Sequence, residues 1–155
     1  MIHNRYILLF AFYISLTTKK MNYWLIKSEP DTYSWDDFVK EGQSMWDGVR
    51  NHAARLNMIA MKKDDLALFY HSNEGKEIVG LAKVSKEHYP DPTSDDPRWV
   101  VVNFVPVEKF PKTVTLATLK ADKRFEDMAL VRLSRLSVGP VKPEEFDLIL
   151  AMAHD

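Results

Sequence analysis

Between Trp46 and Met58 the chain reads WDGVRNHAARLNM, with an aromatic ring, a glycine, an arginine and an asparagine ahead of a helix-like run. These residue types suit the capture of a planar, partly charged ligand. An indole beside a flexible glycine can wall a cleft, while Arg50 and Asn51 sit where the free N–H groups of a helix start favour an anion. Stacking a nucleobase on such a ring is worth roughly 1–3 kcal/mol and tolerates any base, so selectivity must come from hydrogen bonds to its edge. Asn51, Ser28 and backbone groups are the candidate donors and acceptors. The competing reading has Trp46 filling the core and Arg50 paired with a carboxylate, the commoner fate of an isolated Trp/Arg pair.

Other chemistries find less support. The five histidines (His3, His52, His71, His88 and His154) contain no i, i+4 pair and no HExxH, and the chain has no cysteine. Metal catalysis, disulfides and a thiol nucleophile therefore have no basis here. His71 and Ser72 lack a GxSxG elbow, and adjacent strand residues point to opposite faces. The acidic pairs Asp36-Asp37, Asp64-Asp65, Asp95-Asp96 and Glu144-Glu145 read as solvated helix starts and turns. An enzyme using His71, Ser72 or Glu29 in one cleft, a hydrolase or nucleotide-processing activity, stands as the alternative to a binding module. A small-ligand-binding interaction scaffold is the third possibility.

Elements must hold these groups in place. With 155 residues, 46% of them hydrophobic, the chain has the size of one domain. A formal net charge of -1 supplies no global positive field, so an anionic partner needs a local basic patch. The absence of cysteine fits a reducing, cytoplasmic compartment. Residues 1–20 carry an apolar run too short to span a bilayer. A basic residue precedes that run as in a signal peptide, but no small-x-small site follows, and the expected fold begins at Met21.

YWLIK (23–27) predicts a strand stopped before Pro30, and Ser34 with Gly42 brackets a short helix over WDDFVKE. Asn51 caps a second helix from His52 to about Met61, whose Ala54, Met58 and Met61 share a core-facing stripe. LALFYHS and IVGLAKVS, joined by NEGKE, predict an antiparallel hairpin, and WVVVNFVPVE a third strand with an edge or bulge at Pro106. Helices start after Thr115 and at Pro143, with LSRLSVGPV extended between them. Trp24 and Trp99 read as core or barrel-closing aromatics, Trp35 as a cover over the sheet, and Asp91 as a turn residue. Lys27 and Glu29 share a strand face and form a candidate ion pair. Lys120, Lys123, Arg124, Arg132 and Arg135 are candidate phosphate contacts, with a solvated face preferred for the two lysines. The class is α+β with a curled or barrel-like sheet.

The ordered set YWLIKSEP, WDGVRNHAARLNM, FYHSNEG, IVGLAKV, YPDPT and RLSVGPV resembles the EVE domain family of the PUA-like superfamily, from about Tyr23 to the C-terminus. The resemblance implies a PUA-like curved β-barrel flanked by helices, with a pocket for one flipped or unpaired modified nucleobase, methylated or oxidised cytosine, in DNA or RNA. It also implies a binder without turnover, cofactor, metal or membrane contact, acting as a monomer. Carried over by motif, the pocket gathers Lys27, Ser28 and Glu29, then Trp46, Val49, Arg50 and Asn51, then Tyr70, His71 and Ser72. Arg135, Leu136 and Ser137 close its far side.

Overall fold

The computed structural model describes residues 20–155, so the expectations for the N-terminal leader fall outside them. The elements in order are β1 (Tyr23–Ser28), α1 (Trp35–Glu41), β2 (Ser44–Trp46), α2 (His52–Ala60), β3 (Leu66–His71), β4 (Glu77–Pro90) and β5 (Val100–Thr115). There follow α3 (Leu116–Lys120), a 3-10 turn (Lys123–Phe125), α4 (Ala129–Arg132), β6 (Val138–Val141) and α5 (Pro143–Ala153). None of the described helices is long and apolar enough to cross a membrane.

One six-stranded sheet runs in the order β2-β5-β4-β3-β1-β6. β1 is parallel to β3 and antiparallel to β6, so a strand opened by apolar residues becomes central and buried on both faces. Trp24 and Ile26 point to one face, joined by Phe69, Phe104, Trp35 and Phe38 of α1, and Ala54 and Met58 of α2. Leu25 points to the other, with Leu68, Phe110, Leu119, Phe125, Phe146 and Ile149 beneath α3, α4 and α5. Helices thus cover both faces of one sheet.

The expected barrel is not closed. β2 and β6 are the sheet edges, with no pairing between them among the described residues. The sheet curves instead, because β4 and β5 shift register four times along their length, and each extra residue bends a ladder locally. Pro106 sits opposite Ala82 at one of these shifts. At Gly80 an added Cβ would lie 2.7 Å from the Trp35 ring and 2.8 Å from the Glu108 carbonyl, so only glycine lets α1 seat here.

Capping chemistry decides the helix starts. Ser34 accepts from the Asp37 amide while Asp37 accepts from the Ser34 amide, a reciprocal box, and Asn51 accepts from the Ala54 amide at 2.9 Å. Three expectations need correction. LSRLSVGPV is extended only over Val138–Val141, because Ser134 to Leu136 turn back onto α4. Glu145 is buried at the start of α5 rather than solvated, its carboxylate accepting from the Lys142 amide at 2.9 Å. Asp65 is buried rather than solvated, since its carboxylate accepts from the Trp24 indole at 3.0 Å and the Lys62 amide at 2.9 Å.

Candidate functional site

A cleft of about 760 Å³ opens beyond the C-terminal end of β1, against the connection from β2 to α2. That volume lies within the usual range for small-ligand sites. β1 contributes Lys27, Ser28 and Glu29; the turn after it contributes Thr32 and Tyr33; the β2–α2 connection contributes Trp46 through Arg50. Glu41, Ser44, Met45 and Ser137 complete the wall.

Trp46 is both core and wall. Its indole is 9% exposed, edge-on to Phe69 and Phe104 at centroid distances of 5.7 and 5.8 Å, and to Tyr33 at 6.1 Å. The competing core reading therefore holds for most of the ring, and the remainder lines the cleft. Gly48 is required by its φ of +74°, not by close packing, as nothing lies within 4 Å of where its Cβ would be. The bend it permits turns Val49 into the core and Arg50 outward.

Arg50 meets the carboxylate that the competing reading required. Its Nη1 donates to Asp91 at 2.9 Å and to the Val49 carbonyl at 3.0 Å, and its guanidinium lies 5.7 Å from the Trp99 ring centroid. Trp99, expected in the core or closing a barrel, is half-buried and stacks on His52 at 4.9 Å outside the core. Burial pushes the Asp91 carboxyl up, but hydrogen bonds from the Thr93 hydroxyl, Arg50 and the Thr93 and Gly48 amides outweigh it and bring the pKa down to about 2. Asp91 is thus a buried anchor, not a simple turn residue.

Acceptors dominate the remaining lining. Glu29, Glu41 and Asp47 bring three carboxylates, and Arg50, the only guanidinium among them, is already engaged. The Tyr33 hydroxyl donates to Glu41 at 2.6 Å. Burial and the Glu41 carboxylate push its pKa up to about 12. Ser28 spends its proton on the Tyr33 carbonyl, leaving its oxygen as an acceptor for any ligand.

Seven of the expected site residues meet here: Lys27, Ser28, Glu29, Trp46, Val49, Arg50 and Ser137. Six do not. Asn51 spends its side-chain oxygen capping α2. His71 points to the α1 face, where its Nε2 accepts from the Trp35 amide at 3.1 Å; burial lowers its pKa and favours the neutral ring this requires. Tyr70 and Ser72 line a second, smaller cavity, reached by the alternation of β3 that separates Tyr70 from Phe69. Leu136 packs on the core, and Arg135 is exposed outside the cleft. Lys27 and Glu29 form no ion pair; the Lys27 ammonium donates to the Ser134 carbonyl at 3.0 Å.

Tyr33 and Glu41 were not foreseen. Two backbone hydrogen bonds to the Glu29 carbonyl, from Thr32 and Tyr33, fold the SEPDTY turn over the cleft, with Pro30 and Asp31 as its turn formers.

The EVE domain model matches residues 22–152. The chain belongs to the EVE domain family. It is 38% identical to thymocyte nuclear protein 1 of Mus musculus, over 84% of this chain and 73% of that one. A protein of Rhodopseudomonas palustris solved by NMR shares 50% identity at a TM-score of 0.82, covering 86% of this chain and 93% of the other. The human THYN1 protein, solved in complex with 5-methylcytosine-containing DNA, superimposes at a TM-score of 0.81 with 33% identity, covering 86% and 98%. This EVE domain therefore shares its fold over nearly all the described residues with a chain solved on modified DNA.

Proposed function

We propose that this EVE domain binds DNA carrying a C5-modified cytosine, taking the unstacked base into the cleft beside Trp46 without chemical turnover. The observation that carries the reading is the pairing of ring wall and acceptors. Tyr33 and Trp46 offer aromatic surface, and Glu29, Glu41 and Asp47 offer carboxylates. Carboxylates accept from the exocyclic amine of cytosine, whereas thymine presents a carbonyl at the same position with an identical methyl neighbour. Such a lining distinguishes 5-methylcytosine from thymine by charge and hydrogen bonding, and from cytosine by one methyl group.

Extracting a base from a duplex costs a few kcal/mol, which stacking of about 1–3 kcal/mol offsets only in part. Single strands avoid that cost and bind better. Non-catalytic binding is favoured because His71, Ser72 and Glu29 do not share a cleft: His71 caps α1 while Ser72 and Glu29 line different cavities. Action as a monomer in a reducing, cytoplasmic compartment belongs to the same proposal; the cysteine-free sequence fits the reducing compartment.

The test is equilibrium binding of otherwise identical single strands bearing one cytosine, 5-methylcytosine or thymine at fixed salt. The methylated strand binds several-fold tighter than cytosine, in keeping with about 1 kcal/mol for a methyl in an apolar contact, and thymine binds weakest. Equal affinity for all three removes the reading.

A further inference from the structure

We propose that the smaller cavity, on the other side of Lys27, is a phosphate subsite for the nucleotide adjoining the base in the Trp46 cleft; this rests on the reading just given. The cavity measures about 260 Å³ and lies between the β3–β4 turn, α3 and α4. Lys27, Lys76 and Lys120 all line it, with Ser72, Asn73 and Ser134 as neutral hydrogen-bonding neighbours. No carboxylate does.

That imbalance is local. The whole chain carries a formal charge of -1, and two arginines of the same half are committed to acids, Arg124 to Asp122 and Arg132 to Asp127. Lys27, Lys76 and Lys120 enter no salt bridge among the described residues. Three lysines lining a concave site that no carboxylate lines gain from an anion, and phosphate is the anion a nucleic-acid strand supplies.

Lys27 couples the two sites. Its residue borders both cavities, and its ammonium, 3.0 Å from the Ser134 carbonyl and 6.0 Å from the Tyr70 ring centroid, keeps two N–H groups for a ligand. Burial lowers the Lys27 pKa, so its charge is poorly solvated in the free protein. Because Lys27 lines both cavities, a phosphate adjoining a base in the larger cleft has this residue as its bridge to the smaller one.

The experiment compares the parent chain, a K76Q/K120Q variant and a K63Q/K112Q variant of equal charge change whose sites line neither cavity. All four lysines are exposed, so folding is preserved. The probes are a single strand with one 5-methylcytosine, the same strand with an abasic site there, and the free nucleoside 5-methyl-2′-deoxycytidine. K76Q/K120Q loses about tenfold in affinity for both strands at 0.1 M salt, and its salt slope falls by about 1.4, two phosphate contacts on a single strand. K63Q/K112Q stays near the parent, and the nucleoside binds all three proteins alike.

An unchanged slope in K76Q/K120Q, or an equal loss in both variants, overturns the subsite. If the parent does not separate the methylated strand from the abasic one, the base reading fails, while the abasic strand still decides the subsite. A parent that binds neither strand overturns both.

Discussion

Arg50 Nη1 lies 2.9 Å from Asp91 Oδ2, with the Asp91 side chain fully buried and that of Arg50 39% exposed. The same carboxylate takes the Gly48 and Thr93 amides, so it ties the loop ahead of α2 to the loop after β4. The cleft wall is held by this one buried acid.

Asp91→Ala leaves those donors without their acceptor and is expected to cost about 2–4 kcal/mol, measured by urea denaturation at pH 7. Because the folded pKa of about 2 lies below the ordinary carboxyl value of 3.8, the ionised form stabilises the fold fully above that value. The contribution disappears as pH falls through about 2. Parent stability drops across this window and the variant's drops less.

His71 supplies a second, milder pH dependence. Its pKa is lowered below 6.5 by burial, and its Nε2 must stay unprotonated to accept from the Trp35 amide. The contact contributes fully above about pH 6.5 and fades as pH falls through the depressed value. Ring nitrogen shifts in NMR are expected to show a neutral imidazole at pH 7, and His71→Phe removes this part of the pH profile.

Glu41→Gln tests the acceptor wall without disturbing the core. The Tyr33 hydroxyl loses a charged partner, so its pKa falls from about 12 toward the value that burial alone sets, read by ultraviolet titration. Discrimination against thymine weakens in the same variant, since one carboxylate facing the exocyclic amine is gone. An unaltered phenol titration contradicts the contact.

Trp46 serves the fold and the cleft together, and substitutions separate the two. Trp46→Ala removes a ring that touches Phe69 and Phe104, costing about 3–5 kcal/mol of stability. Trp46→Phe keeps an aromatic in place, so its melting temperature stays closer to the parent's, while affinity for the methylated strand falls about fivefold through reduced stacking.

Local signals wrote most of the fold. Ser34 and Asn51 announced their helices, and Ala54, Met58 and Met61, all fully buried, announced which face points inward. Long-range pairings and side-chain destinations are not written locally. The pairing of β1 with β3 in parallel joins residues some forty positions apart, and no local pattern encodes it. Asn51, His71 and Tyr70 lie outside the Trp46 cleft for a related reason: motif order brings residues near the site, but strand alternation and capping decide where each side chain goes. Arg50 and Asp91 lie 41 positions apart, so their bond emerges only when the two loops meet.

The location of the base is tested most directly by photocrosslinking. A single strand with 5-bromocytosine in place of 5-methylcytosine is irradiated on the protein, and the attached peptide is identified by mass spectrometry. The cleft predicts attachment at Tyr33 or within Ser44–Arg50, abolished by competing 5-methylcytosine strand but not by the thymine strand. Efficient attachment elsewhere on the chain, with these peptides unmodified while the strand is bound, contradicts it.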